Sequence, residues 1–332
     1  MVTYVIFNGD EGLIAAYIII KAIGRNYSNF PNSGKIKTIS GVKTDLGLWR
    51  FLPEDLESSV IYSLDLALTK NIKYVEKILS KGNLIVYIDH HNPGNNIPTN
   101  KNFKFFLPKS SGYNTSTQSN ELAGNNFDLW AMVGAAGDNK KKIFNEISIR
   151  NNLDKIQKKI LWRFGKFINS HSFKPKQGLG SVDILNDILY YNDPFEFINK
   201  SNKYGELARE YIYDFKYVRS LRKMIYKDKE VVIVEFPIGP ESQRMFATFA
   251  YIIQRHNKNK VVFCLFPIKL DNRGILYEIS IRAEKNADKF AKEFGGGGRS
   301  EAAGANYFLK KGEDVRSLVA KINMVVKNVK YT

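Results

Sequence analysis

The run Leu84–Ile88, LIVYI, is apolar at every position and leads without a spacer into Asp89, His90 and His91. A short unbroken apolar run fits a strand covered on both faces, as in a parallel sheet flanked by helices. Its polar residues then stand at the strand's carboxyl end, where open α/β sheets gather their sites. Comparable junctions recur along the chain. VTYVIFN passes through Gly9, Asp10, Glu11 and Gly12 into the helix-like LIAAYIIIKAI, VIYSLDLAL carries Asp65 near its end, and LWAMVGAAGDN delivers Asp138. If these groups converge on one cleft they form a cation site, since carboxylate and imidazole donors suit Mn or Mg. The other reading is a set of separate turn and helix-cap residues, a common use of Asp. Recurrence on four elements favours convergence. Cys264 is the only cysteine, which excludes a thiolate zinc cluster and any disulfide within the chain.

Strands near 2–8, 36–42, 60–66 and 84–89 alternate with helical patterns near 12–24 and 69–81, which predicts a mostly parallel sheet. Residues 108–126, rich in Ser, Thr, Asn and Gly, read as a loop holding a short helix. Residues from about 141 to 228 read as mainly helical. A new α/β pattern starts at EVVIVEF, 230–236, and continues through SQRMFATFAYIIQRHN, KVVFCLFPI, ILYEISIRA and ADKFAKEF to a strand near AGANYFL. The expected fold class is therefore α/β in two domains: 1–165 with a mostly parallel sheet, a helical connector at 166–229, and a smaller domain at 230–332. No apolar run reaches transmembrane length and there is no signal-peptide pattern, so, with a single cysteine, a cytoplasmic protein is expected.

Lys and Arg number 50 against 33 Asp and Glu, a net charge of +17 that attracts polyanions. The basic residues fall in short groups, among them Lys140–Lys142 and Arg219 with Arg222 and Lys223, each of which reads as a solvated face. Aromatic residues at Trp162, Phe164, Phe167, Tyr211, Tyr213, Phe215 and Tyr217 follow a helical or amphipathic period and read as packing residues. His171 and His256 lie in helix-like segments with no acidic partner close in sequence. Gly295–Gly298 cost backbone entropy, for which close backbone approach or positive φ is the usual reason. Such a run is either a phosphate cradle of backbone N–H groups or a flexible turn.

Asp89-His90-His91 after an apolar strand resembles the signature of the DHH phosphoesterases, and GGGGRSEAAG at 295–304 is similar to the Gly-rich motif of their associated C-terminal domain. Ser280–Arg282, SIR, fits the same C-terminal pattern. Gly134–Asp138, GAAGD, resembles the fourth motif of the RecJ-like branch, which includes single-strand nucleases and relatives that have lost catalysis. The family's first motif is HxDxDG. With its glycine set on Gly12, Phe7 stands at the His, Gly9 at the first Asp and Glu11 at the second. In the family one metal is held by that His, the first Asp and a bridging Asp, of which only Asp65 is matched here. The other metal's ligands are all matched, by Glu11, Asp65, His90 and Asp138, while Asp89 and His91 take orienting roles. The C-terminal His is replaced by Arg299, which joins Ser280, Arg282, Gly295, Gly296, Gly297 and Gly298 in an implied phosphate- and nucleic-acid-binding set.

Paired ions about 3.5–4 Å apart stabilise both attacking and leaving oxygens in phosphoryl chemistry, and one depleted ligand set removes that clamp. Arg299 can grip a phosphate but cannot donate a proton at neutral pH. The resemblance thus implies a catalytically inactive RecJ-like DNA replication factor, similar to the archaeal Cdc component of the CMG (Cdc, MCM, GINS) helicase. The implied partners are GINS and, through it, the MCM helicase, with single-stranded DNA as a further ligand, no membrane partner and a chromosome-associated location. No cofactor is required in that reading, and a residual site has room for one Mn or Mg ion. The alternative is an Mn-dependent single-strand exonuclease or oligonucleotide phosphodiesterase with a one-metal site. A third reading is a nucleotide sensor that binds without hydrolysis.

Overall fold

The computed structural model describes residues 2–31, 34–41, 43, 45, 47–110, 112–173 and 181–331, with backbone only at 330 and 331. The chain divides into two units, 1–211 and 212–332. In the first, β1 (Val2–Phe7), α1 (Gly9–Gly24), β2 (Lys35–Ser40), a 3-10 turn (Leu48–Phe51), β3 (Val60–Leu64), α2 (Leu68–Leu79), β4 (Leu84–Ile88) and β5 (Phe103–Phe106) come first. They are followed by α3 (Thr115–Leu122), α4 (Asp128–Gly137), α5 (Lys141–Arg150), α6 (Lys155–His171), α7 (Val182–Ile188) and α8 (Pro194–Lys200). The division between the units falls inside α9 (Asn202–Leu221).

The first sheet is parallel throughout, with strand order β2-β1-β3-β4-β5. Side chains alternate between its faces. Val5, Phe7, Tyr62, Leu64, Val86 and Ile88 join a core with α1, α4 and α6, whereas Tyr4, Ile6, Ile61, Ile85 and Tyr87 pack with Leu48, Trp49 and the Val75–Leu79 face of α2. Coverage on both faces explains why these strands read as unbroken apolar runs. The chain leaves β1 for β2 on one side and returns to β3 on the other. At such a reversal of strand order the loops beyond the carboxyl ends diverge and leave a crevice.

α1 starts at Gly9, ahead of the expected position near 12, because Asn8 caps it by accepting the Gly9 N–H at 2.9 Å. Asp10 and Glu11 thereby enter its first turn and are both buried. The favourable helix dipole at that end offsets part of the cost. Burial of Leu13, Ile14, Tyr17, Ile18 and Ile19 behind them contributes roughly 1.5–3 kcal/mol per side chain and outweighs the rest.

The expected boundaries at 165 and 229 differ from the division found. Residue 165 lies within α6, and Leu161, Phe164, Phe167, Ile168, Ile184, Leu185, Ile188, Phe197 and Leu207 all belong to the first core. The helices read as a connector are therefore part of the first unit's body up to 211. The strand at 223–227 belongs to the second sheet.

The second unit holds β6 (Lys223–Lys227), β7 (Val231–Glu235), α10 (Pro240–His256), β8 (Val261–Asp271), β9 (Gly274–Arg282), α11 (Ala287–Lys292), β10 (Gly297–Arg299), β11 (Ala302–Lys310) and α12 (Val315–Tyr331). Its sheet has the order β10-β11-β9-β8-β7-β6, parallel at β7–β8 and antiparallel at the other pairings. Ile233, Phe263, Ile279, Ile281 and Ala303 pack from one face against Phe290, Leu318, Ile322 and Val326. Among the described residues no helix is long and apolar enough to cross a membrane.

Candidate functional site

The carboxyl ends of β1, β3 and β4 gather the acidic and imidazole groups of the first unit. His90 Nε2 lies 3.2 Å from Glu11 Oε1 and 3.5 Å from Asp65 Oδ1. Ligand atoms of Glu11, His90 and Asp138 lie within 4.8 Å of one another, and those of Asp65, His90 and His91 form a second group that meets the same criterion. Convergence, not separate capping, describes these residues. Asp89 accepts the His90 N–H at 2.8 Å and shares a 2.6 Å hydrogen bond with His91 Nδ1 through the same oxygen. His91 Nδ1 is also 3.9 Å from Asp65 Oδ1. The imidazole expected to orient its neighbours thus stands close to the ligand groups as well.

The backbone around these groups is specialised. Asp65 adopts φ +58°, a conformation that costs a non-glycine residue energy and that clusters at functional sites. Its N–H is held by Ile88 O at 3.1 Å, which ties β3's end to β4's. Glu11 Oε2 accepts the Thr115 N–H at 3.0 Å, at the start of α3. Small residues in α4 permit the close packing that brings Asp138 in. A Cβ at Gly134 would sit 2.2 Å from Ser116 Oγ, and one at Gly137 would sit 1.8 Å from Asp10 Oδ2.

Burial first, then the carboxylates of Asp65, Asp138 and Asp10, push the Glu11 carboxyl well above the ordinary range, against the opposing charge of Lys43. Asp65 is pushed up likewise, by burial and then by Asp89, again opposed by Lys43. So many buried oxygens require protons or a cation among them. Their donor set, carboxylate oxygens and one or two imidazoles at a strand-end crevice, fits Mn or Mg. Phe7, which the motif resemblance sets at the first-motif His, is fully buried in the core, and Gly9 offers no side chain.

Four residues of this site carry no signal in the sequence pattern. The Lys43 ammonium contacts the Asp10 carboxylate, and Asn169 Nδ2 donates to the same Asp10 oxygen at 2.9 Å. Lys166 Nζ donates to Gly137 O at 3.0 Å and Asn139 Oδ1 at 2.6 Å. Burial lowers its pKa to about 7 despite the carboxylates of Asp10 and Asp138. Asn8 is the fourth, through its cap on α1 and a 2.9 Å hydrogen bond from Nδ2 to Lys43 O. These residues come from β2's exit loop, α6 and β1's end, and only tertiary structure brings them together. His171 finds its acidic partner only through the fold. It is buried, with Nδ1 3.4 Å from Glu210 Oε2, a partner 39 residues away in sequence. His256 Nδ1 bonds Ile252 O at 2.8 Å within its own helix.

In the second unit the C-terminal motif residues meet on one sheet face. Gly297 pairs with Gly304, which pairs with Ser280; Arg299 pairs with Ala302, which pairs with Arg282. Residues directly opposite across a ladder share a face, as do alternate residues along a strand. Ser280, Arg282, Ala302, Gly304, Gly297 and Arg299 therefore lie on one side, opposite the core residues Ile279, Ile281 and Ala303. The glycine run is not the flexible turn of one reading. Gly297 and Gly298 lie in edge strand β10, and a Cβ at Gly296 would sit 2.1 Å from Gly304 O. Gly295 supplies a positive φ of 72° at the turn from α11.

No family model matches the chain, and no curated protein matches it either. Solved structures do. A DHH domain described as belonging to a family of ribosomal proteins is 15% identical, with 99% of this chain and 86% of that one covered at a TM-score of 0.66. Exonuclease RecJ bound to manganese is 17% identical over 99% of this chain and 89% of that one, TM-score 0.59. CDC45 from Entamoeba histolytica is 7% identical over 100% and 95%, TM-score 0.51. At these identities the shared property is the fold, which is that of the RecJ-like DHH proteins in two α/β units. It is common to a manganese-bound exonuclease and to CDC45.

Proposed function

We propose that this chain is a catalytically degenerate RecJ-like DNA replication factor, an archaeal-type counterpart of the Cdc component of the CMG helicase. It binds GINS and through it MCM, and it binds single-stranded DNA through the Ser280–Arg282–Arg299 face. The observation that carries the reading is the asymmetry of the site. Glu11, His90 and Asp138 stand together with Asp65 beside His90, while Phe7 is packed into the core and Gly9 has no side chain at the positions that hold the other ion in the family. One Mn or Mg ion, held by Glu11, His90, Asp138 and Asp65, would neutralise the buried carboxylates and brace the carboxyl ends of β1, β3 and β4. The likeness of fold to CDC45 supports a replication role.

A second reading is favoured by the closeness of Glu11, His90 and Asp138: a one-metal phosphodiesterase acting on single strands or short oligonucleotides. Incubation with Mn2+ and 5′-labelled single-stranded DNA, beside Asp65→Ala and His90→Ala controls, separates the two. No product from any of the three proteins is expected. Cleavage by wild type that both substitutions abolish establishes the enzyme and sinks the degenerate reading. Co-purification with GINS and MCM from a mixture of purified components tests the partner assignment. Its absence removes that assignment.

A further inference from the structure

The side chain of Lys43 runs through the space that the missing ligand would fill. A Cβ placed on Gly9 would lie 3.5 Å from both Lys43 Cγ and Lys43 Cε, and 3.4 Å from Asp65 Oδ2. The lysine is held in place along its length. Its N–H donates to Ser172 O at 2.9 Å, its carbonyl accepts from Asn8 Nδ2 at 2.9 Å, and its ammonium lies 5.5 Å from the centre of the Phe173 ring. The ammonium meets Asp10, which is 1% exposed and whose other oxygen, Oδ2, is buried without a hydrogen-bond partner against Gly137.

We propose that Lys43 is a built-in cation that takes the place of the first metal ion and limits the site to one exchangeable ion. The inference rests on the one-ion reading given above. An ammonium carries one positive charge and three hydrogen-bond donors on a flexible stem. It can neutralise Asp10 and screen Asp65, but it cannot coordinate a water and generate hydroxide at neutral pH as a divalent ion does. The substitution therefore keeps the charge balance that the fold needs and discards the chemistry. Burial opposes the charge on Lys43, yet the carboxylates of Asp10 and Asp138 outweigh it and hold the group protonated. The absent first-motif ligands and the anchored lysine are then two sides of one arrangement.

The test is Mn2+ binding, measured calorimetrically on the full chain for wild type, Lys43→Met and Lys43→Arg. Wild type and Lys43→Arg are expected to bind one ion. Lys43→Met is expected to bind a second, or to bind the first at least tenfold more tightly, because Asp10 and Asp65 lose their resident cation. Unchanged stoichiometry and affinity in Lys43→Met overturn the proposal while leaving a one-ion wild type intact. Binding by Lys43→Met but not by wild type upholds the role of Lys43 and overturns the one-ion reading. Should Lys43→Met be too unstable for calorimetry, its thermal melt with and without Mn2+ decides. Rescue by Mn2+ that exceeds the wild-type shift supports the proposal, and no rescue overturns it.

Discussion

Glu11 and Asp65 carry the pH dependence of the first unit. Both carboxyls are pushed above the ordinary value by burial and then by neighbouring carboxylates, Asp65 first at Glu11 and Asp89 first at Asp65. An unfolded carboxyl releases its proton near pH 4. Just above that pH the folded chain retains protons that the unfolded chain has lost, so stability falls as pH rises towards the folded values. Lys166, lowered to about 7, acts with the opposite sign, but only above that pH. The metal-free protein is therefore expected to melt at a lower temperature at pH 7 than at pH 5, and Mn2+ to narrow the gap by replacing the protons. Glu11→Gln should flatten the dependence, and the difference between the two melting curves across that window isolates its share. An identical slope in the variant would show that Glu11 does not hold the proton. The polar residues at the ends of apolar elements made a carboxylate and imidazole group legible, and the resemblance to the DHH motifs singled out Glu11, Asp65, His90 and Asp138 within it. Lys43 and Asn169 were not legible, since a lone Lys or Asn becomes a site residue only through the partner that folding delivers.

The edge strand β10 shows how much an element depends on single glycines. Gly296 and Gly298 lie so close to β11 that an added Cβ would fall 2.1 Å from Gly304 O and 2.5 Å from Ala303 Cα, respectively, whereas Gly297 faces open space. Gly296→Ala should cost about 1–3 kcal/mol through displaced backbone. Gly297→Ala should stay within about 0.5 kcal/mol of wild type. Chemical denaturation of both variants checks this, and equal losses would mean that the run is tolerant and not packed. Helix α10 is joined to α9 in another way, by Arg244, whose Nε and a terminal nitrogen meet the fully buried Asp214 at 2.6 and 2.7 Å. Removal of one partner from such a pair leaves an uncompensated charge and costs roughly 3–5 kcal/mol. Arg244→Met is expected to lose that much, and Asp214→Leu in the same chain to return most of it. Among the elements, long apolar or strongly periodic ones such as α1, β4 and β8 were evident in the sequence. β5 and β6 were not. FKFF and KMIYK are short edge strands that mix Lys with apolar residues, the composition that blunts a sheet edge and also hides it from a pattern reading.

At the scale of the whole molecule, two α/β units were foreseeable from the restart of strand patterning at EVVIVEF, but the boundary was not. The helices up to 211 bury their apolar faces in the first core, and a helical period does not say which core it faces. Charge is the other molecular property. A net +17 concentrates polyanions around the protein, yet a global excess acts on any strand and in any orientation. The Arg282–Ala302–Arg299 row is different, because it fixes two guanidinium-bearing positions on adjacent ladders with only a methyl group between them. Guanidinium groups so placed suit phosphate oxygens bidentately. If single-stranded DNA lies on this face, each arginine displaces about one condensed counterion, and the logarithm of affinity falls linearly with the logarithm of salt. Arg282→Ala and Arg299→Ala should then each weaken binding across all sequences and reduce the salt slope by about one. Lys141→Ala on α5 removes the same single charge from a different surface and should leave the slope nearly unchanged. Fluorescence anisotropy of a labelled single strand across a salt series reads all three. Equal reductions for the arginine and lysine variants would assign binding to the diffuse charge of the molecule and withdraw the sheet face as the strand's seat.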